Sequence, residues 1–364
     1  MGRRAPGEEN SANSLMRAVR LVLAMACVLV PASRPHAADL ALAETGSTLI
    51  LPLFNSWVAA YAPHTPSLRM TSAGTGSGAG IAAAIAGQVQ IGTSDAYMSD
   101  QEAMANHDVL NIPLVISAQT VNYNLPGLHG ISLKLSGPVL AGIYSGAVRN
   151  WDDPQIAALN PGTRLPHHAI VPIRRGDASG DSFVFTQFLT FSTPDWETRI
   201  GYGTTVKWPP VPGSLTASGN SQMVQTCART PYSIAYIGAS FAAEIAKAGL
   251  GTAMLQNEDG KFVLPTPATI SAAAAALTPR TPADERLTLV FAPGAQSYPL
   301  INYEYAIVSS RQPSAQLATA LRDFLLWCIA PDGGSAAHFL DPVHFIALPT
   351  AIRAKSELQI AAIQ

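Results

Sequence analysis

Apolar positions along this chain switch repeatedly between helical and strand spacing. Residues 46 to 62, GSTLILPLFNSWVAAYA, carry apolar side chains at helical spacing behind a Gly-Ser-Thr turn, which predicts a helix capped by Ser47 or Thr48. LRMTS (68 to 72) alternates like a short strand. A glycine-rich loop follows, then GIAAAIAG as a helix and VQIGTSD as a strand ending at Asp95. Further on, SGPVLAGIYSG, AIVPIRR and SIAYIGASF read as strands or strand-helix pairs, and DSFVFTQFLTF as an amphipathic helix after DASG. The low-complexity SAAAAAL is most simply a helix of strong formers, with no chemistry assigned to it. This alternation predicts an α/β fold with parallel or mixed sheets.

Two extended segments, VISAQTVNYNLPG (115 to 127) and PLINYEYAIV (299 to 308), are rich in β-branched or aromatic residues, as a pair of hinge strands would be. The chain is then expected to leave one lobe near residue 119 and return near 302. Composition fits a folded chain of more than one lobe: 364 residues, 48% hydrophobic and only 13% charged. A net charge of −2, with no dense basic run, argues against a nucleic-acid partner.

The N-terminus reads as an export signal. Arg17 and Arg20 precede the apolar run LVLAMACVLV, and small residues in PHAA and ALA offer cleavage sites before Glu44. The expected signal segment is residues 1 to 43, with cleavage between about 37 and 43, and Met16 is the more conventional start codon. The apolar run is shorter than the roughly 20 helical residues that span a bilayer. Cys27 stands in this segment as a candidate for lipid attachment in a poor context. Cys227 and Cys328 are then the thiols of the exported chain, and whether they meet is left open. Zinc is excluded for lack of clustered ligands.

Three motifs place hydroxyls or glycines at the start of a helix: TGSTL (45 to 49), GTGSGAG (74 to 80) and RRGDASGDSF (174 to 183). The first amides of a helix lack internal partners and carry the positive end of its dipole, so each start can receive an anion. Any one alone reads as an ordinary capped helix. The third adds Arg175, whose planar fork matches two oxygens of a tetrahedral anion. Enzymatic readings find less support. Gly80 is followed by Ile81 rather than the Lys of a P-loop, and no G-x-S-x-G surrounds Ser77 or Ser179. His64, His107, His129, His167, His168, His338 and His344 are scattered and read as surface or helix-end residues.

ETGSTLILPLFNSW, SAGTGSGAGIAAAIAGQVQIGTSDAYMS, NWDDPQIAALNPG, RRGDASGDSFVFTQFL and YPLINYEYAIV together resemble, in order from about Glu44 to Pro349, the substrate-binding protein of the high-affinity phosphate ABC importer. The resemblance implies an α/β periplasmic-binding-protein fold of two lobes, two hinge strands and a central anion-binding cleft. Lobe I would take residues 44 to 118 plus 303 to 364, and lobe II residues 119 to 302. It implies an exported, periplasmic or cell-surface monomer without catalytic activity, cofactor or metal, which delivers inorganic phosphate to membrane permease subunits. Carried over by motif, the phosphate contacts would be Thr48 (amide and hydroxyl), the Leu49 amide, Ser77, Asp95, Arg175, Ser179, the Gly180 amide and Asp181. Leu49 stands where some members carry Phe, and Asp181 where some carry Thr. A cysteine pair of some relatives looks incomplete, because Ser233 stands near the expected partner of Cys227.

Asp95 gives the selectivity expected of such a site. Phosphate near neutral pH keeps a proton that a carboxylate can accept, whereas sulfate has none to give. Sulfate would face Asp95 as like charge, at a cost on the order of 1–3 kcal/mol. The alternatives are a receptor for another tetrahedral oxyanion such as sulfate, which Asp95 disfavours, and a secreted phosphatase using Ser77 or Ser179, which lacks a positioned base.

Overall fold

The computed structural model describes residues 40–128 and 130–364. Residues 1 to 39 of the expected signal segment, with Met16 and Cys27, and also His129 lie outside the described residues, whereas its last four, Leu40 to Ala43, are described and lie in a strand.

Among the described residues, twelve strands form two sheets. They are β1 (Leu40–Gly46), β2 (Leu68–Thr71), β3 (Ile91–Ser94), β4 (Val109–Tyr123), β5 (Lys134–Leu135), β6 (Val171–Arg175), β7 (Leu215–Ala217), β8 (Ser233–Gly238), β9 (Gly251–Thr252), β10 (Met254–Gln256), β11 (Phe262–Val263) and β12 (Ile301–Ser309). The main sheet runs β2-β1-β3-β12-β4-β8-β6-β7, with β9 also on β4, and the small one runs β11-β10-β5. β1 lies parallel to β2 and β3, as β6 does to β7 and β8. β12 is antiparallel to both β3 and β4.

β4 is the shared element. Val109 to Ala118 pair with β12, and from Gln119 to Tyr123 the strand pairs with β8 instead. One strand therefore belongs to both halves of the sheet, and the exchange of partner falls inside the segment read as a hinge. Thr281 and Glu285, inside the range expected for the second lobe, bond toward the other side: Thr281 to the Tyr303 hydroxyl at 2.9 Å, and Glu285 to Ser356 at 3.1 Å and Gln359 at 2.5 Å.

Aromatic pairs pack on both sides of this exchange, within one continuous core. Phe54 meets Phe324 edge-on at 5.6 Å, and Trp57 donates its indole N–H to the Gly334 carbonyl at 2.8 Å. In the other half Phe185 stacks on Tyr236 at 4.5 Å beside Tyr144. Such buried aromatic pairs carry large apolar area and fix ring orientation.

Several expected elements differ. SGPVLAGIYSG is a helix, Gly137–Ser145, with Ser136 accepting the Val139 amide as its cap and Pro138 in the first turn. The helix at Gly180–Ser192 is not amphipathic: every residue from Gly180 to Thr190 is buried, because protein covers all its faces. The first helix begins at Leu51, later than a Ser47 or Thr48 cap requires.

Candidate functional site

The candidate side chains sit on strand ends and helix starts that the fold brings together. Asp95 follows the last residue of β3, and Arg175 closes β6. Ser77 and Gly180 are the first residues of the helices Ser77–Ile85 and Gly180–Ser192. Thr48, Leu49, Ser77, Asp95, Arg175, Ser179 and Asp181 are all at most 9% exposed. Seven polar or amide-contributing residues from distant motifs thus share one buried region.

Ser47 organises the first motif. Its Oγ accepts the Leu49 amide at 3.0 Å and the Ile50 amide at 3.3 Å, and its hydroxyl donates to Asp95 Oδ1. Ser47 therefore caps the turn before the helix rather than the helix itself, and the Leu49 amide is already engaged. Behind it, Thr93 accepts the Ser47 amide at 3.0 Å and donates to the buried Glu44 carboxyl at 2.5 Å. Burial pushes that carboxyl up to about 7. The Ser77 Oγ accepts the Asp95 amide at 3.2 Å, and Asn302 donates to the Asp95 carbonyl at 2.5 Å.

Close approach across the cleft requires glycine at two points. A Cβ on Gly180 would come within 2.4 Å of both Asp95 Oδ2 and Ser77 Oγ. Gly76 has φ +97°, and a Cβ there would stand 2.8 Å from the Ala178 carbonyl oxygen. The amides of Thr48, Ser77 and Gly180 have no acceptor among the described residues, as the first amides of turns and helices often do not. Three motifs read as anion receptors thus leave amide donors unengaged within one cluster of residues.

Arg175 is held on all sides. Nε donates to Asp177 Oδ1 at 2.8 Å, Nη2 to Asp177 Oδ2 at 2.5 Å and to Thr48 Oγ1 at 3.4 Å, and Nη1 to Asp181 Oδ2. The Tyr236 hydroxyl accepts its backbone amide at 2.9 Å. Burial alone would lower the guanidinium; its bonds to Asp177 and the charge of Asp181 outweigh this and raise it. The fork expected to grip two anion oxygens is bidentate on Asp177, while Nη1 and Nη2 also reach Asp181 and Thr48.

Four residues here were not singled out from sequence. Asn220 opens a helix at Gly219–Arg229 and donates its side-chain N–H to Thr48 Oγ1 at 3.0 Å and to Asp181 Oδ2 at 2.8 Å. The signal was present: SGNSQ (218 to 222) repeats the glycine and hydroxyl pattern of the other three helix starts. Gln119 of β4 donates to Asp181 Oδ1 at 3.0 Å. Asp177 lay within a quoted motif, as did Glu304, which is fully buried on β12.

Burial first, and then the charge of Asp181, push the Asp95 carboxyl up to about 7, against the lowering effects of its Ser47 bond and of Arg175. Only an unprotonated oxygen of that carboxyl can accept the hydrogen of an anion that itself carries a proton. Neither serine reads as a nucleophile. Ser77 and Ser179 accept amide hydrogens, the latter from Ser182 at 3.3 Å, and neither bonds a histidine among the described residues. Of the histidines, His167 pairs with Asp152 at 2.7 Å on the surface and His168 stacks on Tyr232. Among the described residues, no group of three His, Cys, Asp or Glu is placed to hold a metal ion.

A cavity of about 710 Å³ lies beside this region rather than at it, lined by Gly78, Tyr97, Ala178, Phe183, Tyr202 and Arg286 among others. It flanks the seam where the Gly78 amide donates to the Ala178 carbonyl at 2.9 Å. Cys227 and Cys328 are buried and form no disulfide, and Ser233 donates its hydroxyl to Cys227 Sγ at 3.3 Å.

The chain matches a family described as "PBP superfamily domain" over residues 32–332. It is 31% identical over 337 residues to the phosphate-binding protein PstS of Methanocaldococcus jannaschii, covering 88% of this chain and 85% of that protein. It is also 31% identical over 314 residues to the phosphate-binding protein PstS of Pasteurella multocida, covering 86% and 88%. Among solved structures, a high-affinity periplasmic phosphate-binding protein with bound phosphate (PfluDING) superposes with TM-score 0.69 at 23% identity, over 88% of this chain and 93% of that one. A phosphate-binding protein from Stenotrophomonas maltophilia gives TM-score 0.65 at 19% identity, over 87% and 93%. The fold is accordingly the two-lobed α/β fold of periplasmic binding proteins, and the chain belongs to the PBP superfamily, within its family of phosphate-binding proteins.

Proposed function

We propose that this chain is an exported receptor that captures inorganic phosphate between two lobes and delivers it to the permease of an ABC importer, acting as a monomer without catalysis. The observation that carries the reading is the convergence of unpaired amides at Thr48, Ser77 and Gly180 with Asp95 and Arg175 in one buried region. The proposed ligand set is Thr48, Leu49, Ser77, Asp95, Arg175, Ser179, Gly180 and Asp181. Within it, the Leu49 amide would have to leave Ser47, and Arg175 would exchange Asp181 or Thr48 for the anion while Asp177 keeps its orientation.

The lobes we propose follow the exchange of partners on β4: residues 44 to 118 with 303 to 364, and residues 119 to 302. The contacts of Thr281 and Glu285 suggest that part of the segment before β12 travels with the first lobe. Export is proposed with a cut no later than Asp39, because Leu40 to Ala43 pair with Leu68 to Thr71 and a cut after Ala43 would remove that edge of the sheet.

Calorimetric titration of the mature chain with phosphate tests the reading. It expects saturable one-to-one binding, with compaction in solution scattering as the lobes close on the ligand. Absence of phosphate binding would refute it.

A further inference from the structure

Arg175 is the guanidinium of the site, and around it stand the buried carboxyls of Asp95, Asp181 and Glu304 and the half-buried Asp177. Were all four ionised, an incoming anion would meet a net negative region. A proton held among them would reduce that charge, and geometry selects where it would sit.

Asp177 has two guanidinium donors and the Gly219 amide at 3.2 Å. Asp181 has Arg175, Asn220 and Gln119 as donors. Asp95 has the Ser47 hydroxyl. Glu304 is different. It is 0% exposed, its Oε1 accepts the Ser117 hydroxyl at 2.5 Å, and its Oε2 has no hydrogen-bond partner among the described residues. An ionised carboxylate with one donor at such depth is strongly disfavoured.

Glu304 also sits where it can act on the ligand. It lies on β12 at the point where pairing with β4 shifts register, beside Tyr305, which pairs with Ser94. Because Tyr305 and Ser94 pair in antiparallel register, Glu304 and Asp95 are the next residues along on the two chains, and Ser117 faces Glu304 from β4. Burial and the Asp95 charge push the Glu304 carboxyl far up.

We propose that Glu304 is a specificity-determining residue of the anion site: it holds a proton between its Oε2 and Asp95, keeping the pair at a single negative charge so that Asp95 can accept a hydrogen from the bound anion. This rests on the oxyanion reading above. In this arrangement the hinge strand supplies the proton that lets an acidic pocket bind an anion, and selectivity for a protonated anion depends on a residue that need not touch it.

Titration of the full mature chain and two variants with phosphate and sulfate near pH 7 tests this. Glu304→Gln keeps shape, neutrality and a donor, so both affinities should stay within about threefold of wild type. Glu304→Met keeps bulk but offers Asp95 no donor. Asp95 then takes up the proton itself, and the phosphate-to-sulfate ratio should fall at least about tenfold. A Glu304→Gln variant that binds both anions more than about tenfold tighter would mean that Glu304 is charged and would overturn the proposal, as would an unchanged ratio in Glu304→Met. If a variant does not fold, the carboxyl carbon resonance of Glu304 in the wild-type chain decides instead: a protonated shift at neutral pH supports the proposal and an ionised one overturns it. Wild-type protein that binds neither anion would sink the oxyanion reading itself, an outcome distinct from those that remove only the role of Glu304.

Discussion

Arg175 and Asp177 form a two-pronged ion pair, Nε to Oδ1 at 2.8 Å and Nη2 to Oδ2 at 2.5 Å, with the arginine side chain 1% exposed. The pair fixes the plane of the guanidinium before any ligand arrives, which is how a long side chain becomes a preorganised anion donor. Arg175→Ala should therefore weaken phosphate binding more than any other single change. It removes charge-assisted bonds worth roughly 1.5–3 kcal/mol each and strands Asp177 and Asp181. Calorimetry is expected to read a loss of at least about tenfold, and a loss below about fivefold would deny Arg175 this role.

Asn220 joins the two sides of the cleft by bonding Thr48 Oγ1 and Asp181 Oδ2 together. Asn220→Ala should loosen the closed arrangement at a cost of about 1–3 kcal/mol for the polar groups it leaves unpaired. Phosphate affinity is expected to drop, and scattering at partial saturation should show a larger radius than wild type. An unchanged affinity would make the side chain a bystander.

Much of this site was legible because its chemistry is local. A hydroxyl or glycine cluster before a helix can be read from a few residues, so TGSTL, GTGSGAG and DASGD marked segments that the fold brings together, and the strand end marked Asp95 beside them. Asn220 carried the same pattern in SGNSQ and could have been found. Gln119 and Glu304 could not, because both lie in strands whose inward faces depend on register, and β12 shifts register immediately after Glu304. The fold was readable as α/β for the same reason of periodicity. Gly137–Ser145 misled because its apolar run resembles a buried strand, although Ser136 and Pro138 mark a helix start. Gly180–Ser192 has no polar face because its neighbours, not its sequence, decide what is covered.

Glu44 and Glu285 are pushed up to about 7, chiefly by burial, and the Asp95 and Glu304 pair is shifted the same way. In the unfolded chain these groups ionise near 4, so between about pH 4 and about pH 7 the folded state binds more protons than the unfolded one. Stability of the ligand-free protein should fall as pH rises through that window, by on the order of a few kcal/mol. Asp177 acts oppositely: burial would raise it, but Arg175 lowers it below its ordinary value, so its contribution is present above that value and fades in acid. Denaturant unfolding at several pH values checks the sum. A stability that rises from about pH 5 to about pH 7 would contradict it.

The account depends most on Asp95 as the acceptor of a proton from the anion. Asp95→Asn replaces a pure acceptor with an amide that also donates and removes like charge facing a fully ionised ligand. Wild type and variant titrated with phosphate and sulfate at one ionic strength give the decisive ratio. The account expects phosphate preferred over sulfate by at least about tenfold in wild type and that preference to shrink in the variant as sulfate gains. A ratio unchanged between the two, with only stability lost, would make Asp95 a structural cap at the end of β3 and contradict the account.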